Sequence, residues 1–168
     1  MKIDFREEQK FTQWWLWVIL ILTGIFPIFG VYKQFVLDES FGNKPMSNLG
    51  LLLFSLIIIT INGLFFFMKL KTTMDKNGIQ IHFFPFTKKR VEWNEIKHMK
   101  VLNYGFVGGW GVRLWTKYGT VYNVKGNIGL AIELKNGTKF LIGTQKEIEL
   151  RSFLEKIPAA ASAKAKKE

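Results

Sequence analysis

Gly108-Gly109-Trp110-Gly111, with Arg113 two residues on, is the stretch whose residue types come nearest to ligand chemistry. Clustered glycines let a backbone wrap an anion, and an arginine could neutralise it. A phosphate loop of the P-loop type needs Lys-Ser or Lys-Thr directly after its glycines, and a helix whose N-terminus faces the phosphate. Here Val112-Arg113-Leu114-Trp115 follows, an alternating strand-like run. A dinucleotide fingerprint also needs a helix at that point and fails in the same way. The spacing therefore reads as structural: Gly108, Gly109 and Gly111 permit positive φ or a bulge where a sheet bends. The same turn presents Trp110, Arg113 and Trp115, residue types frequent in interaction hot spots. Arg113 and Trp115, two apart, are expected on one strand face.

Lys88-Lys89-Arg90 is the densest run of charge. On a domain tethered near anionic lipid, each base close to the surface contributes about 1 kcal/mol of attraction. Other chemistries find little support. The chain has no cysteine, which excludes disulfides, thiolate metal sites and cysteine nucleophiles. His82 and His98 fall in different strand-like segments without a carboxylate at ligand spacing, and Glu92 and Glu95 read as surface pairing beside the basic run. No nucleophile, base and orienting group come together, so neither an enzyme nor a metal or cofactor site is expected. Basic residues near aromatics also occur in nucleic-acid binders, but no nucleic-acid motif is present.

The elements that would position these residues divide sharply by charge. Residues 1–68 carry Lys2, Arg6, Lys10, Lys33 and Lys44 against Asp4, Glu7, Glu8, Asp38 and Glu39, so the whole formal charge of +11 falls on residues 69–168. Two stretches, Phe11–Tyr32 and Pro45–Met68, contain no charged residue. About 20 apolar residues of helix cross a hydrocarbon core of ~30 Å. The expectation is a transmembrane α-hairpin within residues 1–68, with spans at about 12–32 and 47–68. Trp14, Trp15 and Trp17 suit the interfacial belt. A buried soluble hairpin would need more core than this chain offers, and the acidic leader without a small-residue cleavage site argues against a signal peptide. Lysine and arginine near the span ends place both termini and the domain that follows on the cytoplasmic side of the inner membrane. Asn48, Ser55 and Asn62 recur every seven residues and share one helix face. With Thr23 and Gly24 they form a candidate helix–helix interface, within the hairpin or between copies.

After Met68 the period becomes two. Leu70–Met74, Ile79–Phe83, Lys88–Trp93, Ile96–Asn103, Val112–Trp115, the TVYNV run, Ile128–Leu134 and the TKFLIG run read as seven or eight short antiparallel strands. Asn77-Gly78 and Asn136-Gly137 mark hairpin turns. Thr144-Gln145-Lys146-Glu147 has the form of a capping box, and Leu150, Phe153, Leu154 and Ile157 form the apolar stripe of one closing helix. The expected fold is an N-terminal transmembrane hairpin and a mainly-β barrel or sandwich, residues 69–157, capped by that helix. Residues 158–168, with Lys164, Lys166 and Lys167, form a basic tail.

A hairpin followed by a small β-domain and a terminal helix resembles the bacterial pleckstrin-homology (PH)-like membrane proteins. NGIQIHFFPFTKKRVEWNEIKHMKV, GGWGVR and GLAIELKNGTKFLIGTQ carry the resemblance. It implies two near-orthogonal antiparallel sheets with a helix plugging one open end, and no catalytic activity. The expected function is non-enzymatic: partner docking, self-assembly or anionic-lipid contact by a membrane-held module. The alternative is a regulatory or accessory subunit of a larger membrane enzyme or transport complex.

Overall fold

The computed structural model describes residues 4–157. The chain divides into two compact units: Phe11–Phe67, and a second unit made from residues before Phe11 and after Phe67.

In the first unit, α1 (Trp14–Phe35) and α2 (Asn48–Phe67) form a helical hairpin. Both are long and apolar enough to cross a membrane, with mean hydropathy of 2.1 and 2.4 over their most apolar windows. Their apolar side chains point outward: Ile19, Leu22, Ile25 and Phe29 of α1 and Leu53, Leu56, Ile57 and Phe66 of α2 are all exposed. Hydrophobicity all round a helix suits a lipid solvent rather than one-sided packing. Pro27 sits inside α1 without ending it.

In the second unit, two sheets share a core, and Tyr104, Val121 and Leu141 form a further buried cluster. Strands β1 (Phe5–Lys10), β2 (Lys69–Met74), β3 (Gly78–Phe84) and β4 (Thr87–Glu92) make an antiparallel sheet in that order. A short 3-10 turn, Trp93–Glu95, leads to β5 (Ile96–Asn103), β6 (Gly111–Thr116), β7 (Gly119–Asn123), β8 (Ile128–Leu134) and β9 (Lys139–Gly143). These form a second, open sheet in the order β5-β8-β9-β7-β6. The helix α3 (Glu147–Lys156) follows. Alternation puts Leu70, Ile79, Ile81 and Phe83 of one sheet, and Leu130, Ile132, Phe140 and Ile142 of the other, into the core with Leu150, Phe153 and Leu154 of α3.

Four features differ from the sequence expectation. Among the described residues there are nine strands, the eight expected after Met68 and one more. The extra one, β1, precedes the hairpin, so residues 5–10 belong to the β-unit and the hairpin is an insertion between two adjacent strands of one sheet. Sheet pairing is not wholly antiparallel: β7 and β9 run parallel, Thr120 opposite Phe140 and Tyr122 opposite Ile142. The β8–β9 hairpin folds back between β5 and β7, which brings β9 alongside β7 in the same direction. Finally, the capping box is not at Thr144: its hydroxyl accepts from the Lys146 N–H and donates to Glu7, and α3 starts from Lys146 with no side-chain cap. The reciprocal box occurs at the 3-10 turn, between Glu92 and Glu95.

Why β1 docks is visible in its inward side chains. Phe5, Glu7 and Gln9 are buried while Arg6, Glu8 and Lys10 face out. The Phe5 ring meets Phe153 of α3 at 6.1 Å. The Glu7 carboxyl accepts from the Thr144 hydroxyl at 2.6 Å and from the Gln145 backbone N–H at 2.7 Å. The Gln9 amide donates to the Gly143 carbonyl at 2.7 Å. Two buried polar side chains thus find partners at the β9–α3 junction, as burial demands.

Candidate functional site

The glycine-rich loop is held from below by one buried amide. Asn123, at the end of β7, accepts from the Gly111 N–H at 3.1 Å and donates to the Gly109 carbonyl at 3.4 Å and the Tyr104 hydroxyl at 3.1 Å. Tyr104 in turn donates to the Gly126 carbonyl at 2.9 Å. Burial pushes the Tyr104 phenol up from its ordinary value of 10.0, against the smaller opposing effect of the Asn123 hydrogen bond. Gly109 has φ +113, and a Cβ there would lie 2.7 Å from the Arg113 guanidinium. That guanidinium curls back to donate to the Trp110 carbonyl at 2.8 Å. Arg113 therefore braces the loop. Gly108, Gly109 and Gly111 all take positive φ, as a turn built for geometry requires.

Trp110 is partly exposed and Trp115 almost wholly so, at 95%. Arg113 and Trp115 do not share a face: the β6–β7 register shifts between Arg113 and Thr116, and Trp115 adopts φ +54. Left-handed backbone is uncommon for a bulky side chain. Here it turns the indole outward.

The Lys88-Lys89-Arg90 run is split by the pleat of β4. Lys89 points inward, its ammonium 4.0 Å from the centre of the Phe140 ring. Burial lowers its pKa from the usual 10.5, partly countered by the charge of Glu95. Lys88 and Arg90 point outward, where they join residues from three other strands. Register places Arg6, Thr73, Gln80 and Arg90 in one row, Glu8, Lys71, His82 and Lys88 in the next, and Lys10, Lys69 and Phe84 in a third. The outer face of this sheet thus carries Arg6, Lys10, Lys69, Lys71, Lys88 and Arg90. Glu8 sits among them, 3.0 Å from Lys71 and 3.7 Å from Lys10. The hydrogen bond from Lys71 chiefly holds the Glu8 carboxyl below its ordinary 4.5, with help from the charge of Lys69. Arg6 pairs with Asp4 at 3.3 Å. Among the described residues, Lys69, Lys88 and Arg90 make no ion pair. Each is a cation of the outer face without an ion-pair partner.

Sequence reasoning found Lys88 and Arg90 but missed Arg6, Lys10, Lys69 and Lys71 as their neighbours. The signal available was the alternation in KLKTTM; the strand partnership that completes the face needed β1. The tail lysines Lys164, Lys166 and Lys167 lie outside the described residues. His82 is on the cationic face and His98 on β5, in the other sheet. No group of three His, Asp or Glu side chains forms a metal-like cluster among the described residues.

In the hairpin, residues of the polar stripe on α2 approach α1 near both ends, with Asn48 exposed and Ser55 buried. Gln34 donates to the Asn48 side chain at 2.6 Å. A Cβ at Gly24 would lie 3.0 Å from the Asn62 amide nitrogen. Ser55 is buried and donates to the Leu51 carbonyl at 2.7 Å within its own helix. Asn48, Ser55 and Asn62 thus sit where α1 and α2 pack within one chain.

No protein family matches this sequence, and no characterised protein is significantly similar to it.

Proposed function

We propose that this chain is a non-enzymatic integral membrane protein that holds a PH-like β-domain at the cytoplasmic face of the inner membrane. The domain serves as an interaction module, and its cationic sheet face is the surface it offers to anionic lipid. The observation that carries this reading is the pairing of β1 with β2 in continuous register, Phe5 opposite Met74 through Lys10 opposite Lys69. The two apolar helices lie between these strands in sequence. Strands that pair must be on one side of a bilayer, so the helices between them must cross an even number of times. Two crossings by the outward-facing apolar helices satisfy that requirement. Positive charge concentrated after the second helix favours the cytoplasmic side.

The choice of lipid over nucleic acid follows from chain connectivity. Lys10 lies four residues before Trp14, and Lys69 two residues after Phe67. Basic residues this close to a span end lie within the reach of an anionic leaflet, where each contributes about 1 kcal/mol.

Alkaline carbonate extraction of membranes tests the anchoring. The full chain is expected to stay with the bilayer pellet. Release into the supernatant would show that the helices do not span, and the reading would fail.

A further inference from the structure

The hairpin between β3 and β4 has the sequence Phe83-Phe84-Pro85-Phe86-Thr87. Phe83 is fully buried, whereas Phe84 and Phe86 are 39% and 55% exposed. A solvent-facing hairpin tip is normally polar. Two phenylalanines there call for an apolar or interfacial surrounding.

Register locates this tip. Lys10 of β1 is opposite Lys69 of β2, and Lys69 is opposite Phe84 of β3. Adjacent strands lie about 4.8 Å apart, so Phe84 is one strand from the residue that follows α2 and two from the residue that leads to α1. Both covalent connections to the helical hairpin leave from this end of the sheet.

A second exposed group lies beside the tip. Phe86 and Leu114 line the same open depression, together with Val112 and Tyr122. Leu114 is 53% exposed, and next to it Trp115 is 95% exposed in its left-handed conformation. Backbone strain of this kind costs of order 1–3 kcal/mol and tends to persist where it serves a site. Here it holds an indole away from the domain, one residue along from Leu114.

We propose that Phe84 and Phe86, with Leu114 and Trp115, form a wedge that seats in the headgroup layer of the leaflet from which the helical hairpin emerges. The inference rests on the reading that α1 and α2 span the bilayer. Aromatic side chains at headgroup level and lysines at the phosphate plane are the usual composition of such an interface, and Lys10, Lys69 and Lys88 supply the lysines around this tip. The domain is thereby held at three points: two peptide connections and one inserted tip. A tip so seated restricts the domain's rotation about its tethers and orients the cationic face.

The chain has no cysteine, so single-cysteine variants take an environment-sensitive dye cleanly. The full-length F86C and W115C proteins, each carrying the dye, are reconstituted into vesicles of mixed zwitterionic and anionic phospholipid. Lipids bearing a nitroxide quencher at the headgroup or at the upper acyl chain are then included. The expected result is a blue shift and loss of most of the emission at both positions, with water-like, unquenched emission from a K135C control on the exposed surface. An I25C variant, with its dye in α1, reports the spans independently through quenchers deep in the acyl chain. Quenching at position 25 with water-like, unquenched emission at 86 and 115 would overturn the wedge and leave the spans standing. Loss of quenching at position 25 would overturn the spanning reading itself.

Discussion

At the residue scale, Asn123 decides what the glycine-rich loop is. Its one amide engages Gly109, Gly111 and Tyr104 at once, which turns an apparent ligand loop into a fixed corner of the sheet. Replacing it leaves the buried Gly111 N–H without its acceptor, at ~1–3 kcal/mol, while the Tyr104 hydroxyl keeps its bond to the Gly126 carbonyl. N123A is therefore expected to lower the thermal midpoint of the detergent-solubilised protein clearly, with near-ultraviolet circular dichroism showing loosened packing around Tyr104. An unchanged midpoint would contradict the role given to Asn123. The glycine triplet was legible as structural because no helix follows it. The bracing by Arg113 was not, since a guanidinium that folds back on its own loop leaves no spacing signal. The shared face expected for Arg113 and Trp115 failed because a bulge in β6 breaks the two-residue period between them.

At the element scale, the informative strand is β1. The alternation Ile128, Leu130, Ile132, Leu134 announces β8, and all eight strands expected after Met68 are present. FREEQK announces nothing, because two of its three inward residues are polar. Glu7 and Gln9 read as solvent-facing until Gly143, Thr144 and Gln145, more than 130 residues away in sequence, are known to receive them. The capping box fails for a different reason: the Thr144 hydroxyl accepts from the Lys146 N–H, two residues on, and the helix starts only after Lys146. Two neighbouring glutamates thus separate cleanly. E7A removes the acceptor of the Thr144 hydroxyl and of the Gln145 N–H and is expected to cost ~1–3 kcal/mol. E8A removes an exposed ion pair with Lys71, for which ~0–1 kcal/mol is typical. Because the folded state lowers the Glu8 pKa, its contribution is present above the ordinary value of 4.5 and is lost as pH falls through the lowered value. Thermal midpoints should therefore show a large E7A effect at neutral pH, and a small E8A effect that disappears in acid. Equal effects would mean that β1 is not docked as described.

For the whole molecule, the organisation is a β-domain interrupted by a helical hairpin, rather than a hairpin with a domain appended. That arrangement explains why the leading segment, though short, mixes acids and bases: its residues are strand positions with inward and outward duties. Under the proposed spanning, it also puts both ends of the hairpin on one side of the bilayer, because β1 and β2 cannot pair across it. The two apolar stretches were legible from composition alone. The insertion was not, since nothing in a local pattern reports that a strand's partner lies beyond both helices. The cationic face has the same origin: Lys88 and Arg90 look like part of a local run, yet their neighbours Lys71 and Arg6 come from strands on either side of the insertion.

The most direct measurement is accessibility across the membrane of two single cysteines. Asn43 lies in the exposed connection between α1 and α2, and Lys135 is exposed in the β-domain. Intact cells producing N43C or K135C are treated with a membrane-impermeant maleimide, and then again after lysis. The account predicts labelling of N43C in intact cells and labelling of K135C only after lysis. Labelling of K135C in intact cells, or identical behaviour of the two positions, would contradict it.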